Sequence, residues 1–324
     1  MAAAKVRLPV AISASTTQAI HREPVMSGSH PNKTDLVAMA RQGGELSDEE
    51  LVISKFAQSI PQYEAAEGTP ARCQFLRELL RALAEEHREK IESQNYPDSV
   101  RQLIHKEFDR IVKENSEKED EYFDFGNFHL RTDLRLVCFG RIPAGPQHLE
   151  LGGLPGSVLL RGGLGQGARF LKTVLKAGGR SPFYVLHLAH IWPPAFQIVY
   201  SPAEQRKMFH NLAACLEMNT DVRGVQSAGW LFDPQLETVN PQLAYLRTGW
   251  TNNGAELFYW ERSDSTTRMA TMNSQHRGQL HAEGKYDPVG YMVVWLRDSL
   301  IAWSRQNRET GETERAGLAA AESH

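Results

Sequence analysis

Four of the six residues from Gly162 to Gly167 are glycine (Gly162, Gly163, Gly165 and Gly167). The run stands between a short apolar stretch, Ser157–Leu160, and a helix-spaced one, Ala168–Lys176. Read as strand end, glycine loop and helix start, it leaves backbone N–H groups bare at the positive end of a helix. No Cβ holds an anion away from them. Arg161 and Arg169 add charge beside it. The spacing is not a P-loop, because no Gly-Lys-Ser/Thr follows, and it misses the GxGxxG dinucleotide pattern. A glycine-rich connection without a ligand is the other reading of the same residues.

Around this run the chain alternates. Phe183–Leu188, Val225–Phe232, Glu256–Trp260 and Tyr291–Leu296 read as strands, and Leu134–Phe139 and Ser157–Leu160 as short β-like runs. Ser201-Pro202-Ala203-Glu204 is a helix start with a capping box, and Met208, Phe209, Leu212, Cys215 and Leu216 mark the buried face that follows. Upstream, Thr69 as cap and Pro70 open a stripe of Phe75, Leu76, Leu79, Leu80, Leu83 and Ile91. After Asn95-Tyr96-Pro97 a second stripe runs through Val100, Leu103, Ile104, Phe108, Ile111 and Val112. The expected fold is α+β, a mixed sheet flanked by helices with an N-terminal helical hairpin. Its expected parts are a disordered tail over 1–44, a helical segment over 45–121, the core domain over 122–304, and a second disordered tail over 305–324.

The 324-residue chain has a net charge of −3, too balanced for a general nucleic-acid binder. No apolar run approaches the roughly 18–20 residues of a membrane span. Cys73, Cys138 and Cys215 lie far apart without a CxxC, so neither a disulfide framework nor a cysteine-rich zinc site is expected. Before Glu23 the only charges are Lys5, Arg7 and Arg22, too sparse for a transit peptide, and Arg7 and Pro9 break any secretory signal. The expected setting is cytoplasmic.

Gly162-x-x-Gly165-x-Gly167, placed before a helix, resembles the CoA-pyrophosphate loop of the GNAT N-acyltransferase superfamily. Here Gly162, with Arg161 beside it, takes the slot of the usual Arg or Gln. Asn211–Leu216 is similar to the family's Asn…Ala…Tyr pattern, with Leu216 where its proton-donating Tyr is frequent. The resemblance covers about residues 130–260. It implies acyl transfer from acyl-CoA to an amine on a small molecule or peptide. Arg161, Gly162, Gly163, Gly165, Gln166 and Gly167 would then bind the cofactor, and Phe183–Leu188 would offer backbone groups to the thioester arm.

A neutral His187 or His190 suits deprotonation of an attacking amine. Asp233 and Tyr245 complete the catalytic candidates, from the aromatic and turn-rich segments Gly229–Pro234 and Asn240–Arg247. Packing of Trp230 and Phe232, with Asp233 bonding turn amides, is the competing reading there. His187-Leu-Ala-His190, with Asp233 or His210, also admits a metal. In an extended run, however, that spacing puts the two rings on opposite faces, so no metal is expected. A non-enzymatic ligand-binding or interaction protein, and a His-centred metal enzyme, remain the alternative functions. Oligomeric state is not readable.

Overall fold

The computed structural model describes residues 59–124, 126–188 and 201–308. It is an α+β fold: a six-stranded mixed sheet with helices on both faces. The chain opens with α1 (59–67), α2 (Thr69–Arg88) and α3 (Asp98–Glu114). In α2 the cap position is Gly68 at φ +88°, which leaves Thr69 inside the helix. The Thr69 hydroxyl donates instead to Glu64 Oε1 at 2.7 Å. Phe75, Leu76, Leu79, Leu80 and Leu83 are buried as their spacing requires, against Val100, Ile104, Phe108 and Ile111 of α3.

The helical layer does not stop at residue 121. The stretch expected as strand, Leu134–Phe139, falls on the last turn and closing residues of α4 (Phe128–Val137), which packs on α2 and α3. Asn127 starts it by accepting from His129 N–H, and Leu130, Leu136 and Val137 turn inward. Its end is closed by Phe139 at φ +59° and by Gly140 N–H donating to Arg135 O. That closure usually falls to glycine. Here the contacts of the Phe139 ring, stacked on His87 and tilted against Phe108, offset the strain.

The strands are β1 (Ile142–Pro143), β2 (Gln147–Gly152), β3 (Phe183–Leu188), β4 (Gly224–Gly229), β5 (Glu256–Glu261) and β6 (Gly290–Leu296). They lie in the order β1-β2-β3-β4-β6-β5, and the β3–β4 pair is parallel while the others are antiparallel. The run expected as strand over Val225–Phe232 thus ends at Gly229, and Trp230–Phe232 is a 3₁₀ turn. Ser157–Leu160 is no strand either, but part of a 3₁₀ helix over Gly156–Leu160. Helix α5 (Gly163–Lys176) follows it directly, so Gly163, Gly165 and Gly167 are helical rather than a loop before Ala168.

Side-chain alternation sorts the sheet into two faces. Leu149, Tyr184, Leu186, Val225, Val293 and Trp295 join the helices α2 to α4 and α6 (Pro202–Met218) in one core. The hairpin and the sheet therefore share a single apolar interior. Phe183, Phe258, Met292 and Val294 pack on the opposite face against Val158 and Phe170 of α5. The capping box at Ser201 and Glu204 forms as read, and Met208, Phe209, Leu212, Cys215 and Leu216 are buried. The chain continues from β6 into α10 (297–308), with Ser304 buried, so residues 305–308 belong to the fold rather than to a tail. Between β4 and β6, besides β5, lie a single helical turn (Leu236–Val239) and three longer helices: α7 (Tyr245–Thr251), α8 (Asp264–Thr271) and α9 (Gln275–Ala282). All three cysteines are free. Among the described residues no helix is long and apolar enough to cross a membrane.

Candidate active site

A strand pair that runs parallel inside an otherwise antiparallel sheet must be joined by a crossover, here ending in α6. Its ladder is short: Tyr184↔Val225, Val185↔Gln226 and Leu186↔Ser227. Both strands continue two residues further, and each stays paired on its outer side, Leu188 with Gln147 and Gly229 with Tyr291. Across the seam, the peptide groups beyond Leu186 and Ser227 are not laddered to each other. The Ser227 hydroxyl reaches Leu186 O at 3.4 Å, at the last rung. Ala228, in the middle of the sheet, is exposed, and a Cβ built on Gly229 meets no atom of the described residues within 4 Å.

His187 stands beside this opening, on the face that carries Ala228 and α5. Its Nε2 lies 3.2 Å from Glu150 Oε2, off the line of a hydrogen bond. Arg135 Nη1 donates to the same carboxylate oxygen at 3.0 Å and Arg141 Nε at 3.2 Å. Burial by itself would raise the Glu150 carboxyl. His187, Arg135 and Arg141 together outweigh it and bring it down to about 2. Glu150, Arg135 and Arg141 were not among the sequence candidates, because β2 itself went unread. The signal was present: in Gln147–Gly152, His148 and Glu150 alternate with Leu149 and Leu151.

The glycine run lies elsewhere on the same face. Gln166 is buried and clamps the start of α5 to the outer edge of β5. Its Nε2 donates to Tyr259 O (3.0 Å) and Arg161 O (2.9 Å), and its Oε1 accepts from Tyr259 N–H (2.7 Å). Arg161 Nη1 donates to Trp260 O at 2.6 Å, with the guanidinium 4.5 Å above that indole, and Arg169 Nη2 donates to Leu257 O at 3.2 Å. Gly162, at φ +73°, caps α5 without a side-chain acceptor, and the first N–H groups of any helix lack an intrahelical partner. Cβ atoms at Gly163 and Gly165 would meet open space, whereas one at Gly162 would strike Gln166 and one at Gly167 would strike Leu159 O. Gly229, Tyr291 and Tyr259 stand level on β4, β6 and β5. Two strand spacings, roughly 10 Å, therefore separate the seam from the strand that α5 clamps.

The remaining candidates do not converge on His187. Asp233 is 1% exposed and holds a turn, accepting from Gln235 N–H (3.0 Å) and Val289 N–H (2.9 Å). Burial pushes its carboxyl up, only partly opposed by those amides. Tyr245 packs with the cluster that takes Leu188, whose side chain alternates to the other face from His187. Burial and the nearby Glu204 raise its phenol. His190 lies outside the described residues. His210 is turned to α10, its Nδ1 2.8 Å from Ser304 Oγ. Among the described residues no three His, Cys, Asp or Glu side chains are grouped to hold a metal ion. In α6, where Asn211–Leu216 resembled an acyltransferase pattern, Leu216 is fully buried and Asn211 Nδ2 donates to Ala144 O at 2.9 Å. A cavity of about 700 Å³, bordered by Lys176, Pro182, Arg223 and Arg297, lies at the opposite end of the sheet from the seam.

No family model and no curated protein matches the sequence. Among solved structures the chain is similar to three acyltransferase structures. One is a mutant in complex with octanoyl-CoA (11% identity, TM-score 0.42, 67% of this chain and 65% of that one). A second is in complex with CoA and 10C-teicoplanin (12%, TM-score 0.40, 66% and 64%). The third is in complex with decanoyl-CoA and teicoplanin (13%, TM-score 0.41, 68% and 66%). The chain spans just under two thirds of the length of each.

Proposed function

We propose that the protein is an acyl-CoA-dependent acyltransferase acting on an amine of a small molecule or peptide. The carrying observation is the seam between β3 and β4, whose ladder among the described residues ends at Leu186 and Ser227 while both strands run on. Unladdered strand edges bind extended, amide-bearing chains by adding them as a strand. The pantetheine arm of CoA is such a chain, and Leu188 and Ala228, whose peptide groups alternate toward the seam, supply the facing partners. Acyl-CoA brings an acyl group already activated as a thioester. A backbone N–H at the seam polarises the acyl carbonyl, His187 takes the proton from the incoming amine, and the C–S bond breaks to release CoA as its thiol, to which that proton returns. Glu150 orients the His187 ring. The bare first turn of α5, at Gly163 and Gly165 with Gly162, Gly167, Arg161 and Gln166 shaping it, receives the diphosphate. The arm then crosses the sheet over Ala228. Asp233 and Tyr245 are given no reacting role: one holds a turn and the other sits beyond the far face.

Thermal unfolding with short-, medium- and long-chain acyl-CoAs tests the assignment. Acyl-CoA at about 100 times its dissociation constant adds roughly 2.7 kcal/mol of stability. Ala228→Phe, at an exposed position, fills the seam and removes that shift while leaving the apo midpoint in place. Gly165→Val separately removes it if the diphosphate sits on α5. His187→Ala keeps the shift and lowers turnover by about 10²–10⁴. A shift that survives Ala228→Phe refutes the seam. Binding without turnover on any amine makes the chain a ligand-binding protein.

A further inference from the structure

The outer face of α5 is apolar as well as the inner one. Gln166, Phe170 and Thr173 turn toward the sheet, whereas Leu164, Ala168, Leu171 and Leu175 recur at helical spacing on the exposed side. Leu164 is 95% exposed, Leu175 71% and Leu171 48%, and Leu160, just before the helix, is 90% exposed. Leucine side chains this bare, together on one ridge, are unusual on a protein surface. Gly163 and Gly165 flank Leu164 without a Cβ and with open space around them, so that leucine projects unaccompanied.

The charge of the segment that carries the ridge has one sign; the nearest acids across the packing, Glu256 and Glu261, belong to β5 beneath α5. From residue 151 to 203 the sequence holds no Asp or Glu, while Arg161, Arg169, Lys172, Lys176 and Arg180 are cationic. Lys172 and Lys176 are exposed on α5 itself. At the helix's C-terminal end Asp221 and Asp298 border the cavity that Lys176 also lines. A second copy of this helix would bring the same cations face to face. The ridge is convex and purely aliphatic, whereas protein–protein anchors are enriched in Trp, Tyr and Arg with Leu under-represented. Protruding leucines rimmed by lysine match the boundary between acyl chains and anionic headgroups.

We infer that α5, with Leu160 ahead of it, docks the protein on an anionic lipid surface. Leu160, Leu164, Leu171 and Leu175 enter the headgroup–acyl boundary, and Lys172 and Lys176 face the phosphates. Flotation of the full chain tests this, with phosphatidylcholine vesicles containing phosphatidylserine against phosphatidylcholine alone. Binding is expected to the anionic vesicles and to fall as salt rises. Leu160→Ser with Leu164→Ser lowers partitioning by at least about tenfold without lowering the melting temperature, since both side chains are solvent-exposed. Lys172→Gln and Lys176→Gln lower it about fivefold each. Equal binding to both vesicle types, or binding untouched by the leucine pair, overturns the inference. So does a leucine-dependent dimer in solution, which would make the occupant a second copy, or capture by an acidic polypeptide with no vesicle binding.

Discussion

At the scale of the residue, Glu150 organises more chemistry than any side chain the sequence singled out. One carboxylate oxygen faces His187, Arg135 and Arg141, which come from β3, α4 and the approach to β1. His187 was legible because imidazole is conspicuous in an extended run. The carboxylate beside it was not, because strand pairing rather than sequence spacing brings position 150 to position 187. The depressed carboxyl makes a pH prediction. An anion stabilised in the folded state contributes above the ordinary glutamate range, and that contribution fades as pH falls from about 4.5 toward 2. Glu150→Gln should therefore lower stability at neutral pH by on the order of 2 kcal/mol, the side chain being about a quarter exposed, and the gap should close in acid. Urea titrations of both proteins across that window measure it; a gap independent of pH would mean the carboxylate charge contributes nothing.

Elements with local signatures were readable, and those that depend on a neighbour were not. The Ser201–Glu204 capping box is written in four consecutive residues and forms as such. Ser201→Ala should cost about 1 kcal/mol, read in chemical denaturation, with Ser201→Thr recovering most of it. Phe139 misled the reading of α4 because a phenylalanine performs a closing turn that usually advertises itself as glycine. Val158 misled it again. An apolar run bounded by Gly and Pro looks like a strand, yet Val158 is buried by α5 and Phe170, and the segment coils into a 3₁₀ turn to deliver it. The glycine run was seen, but its helical geometry was not, since glycine at the first, third and fifth positions of a helix contradicts intrinsic propensity. The contacts of Gln166, Arg161 and Arg169 with β5 override that propensity.

Over the whole molecule, the alternation of strands and helices forecast a mixed sheet, but not the order of its strands. That order decides where an opening can lie. The seam exists because β3 and β4 run side by side in the same direction before diverging, a relation between residues about forty positions apart. No local pattern encodes it. The same strand order leaves β5 at the rim, and there the carbonyls of Leu257, Tyr259 and Trp260 are taken by side chains instead of another strand. Rims left bare invite copies of a protein to zip together. Gln166→Ala would strip the amide that answers Tyr259 from both sides. Its signature should be less a lower melting point than a cloudy solution: turbidity growing steeply with protein concentration, relieved when a charged residue is placed on that border. A glutamine first read as a CoA-binding residue would then be, before anything else, what keeps that border from zipping to a neighbour.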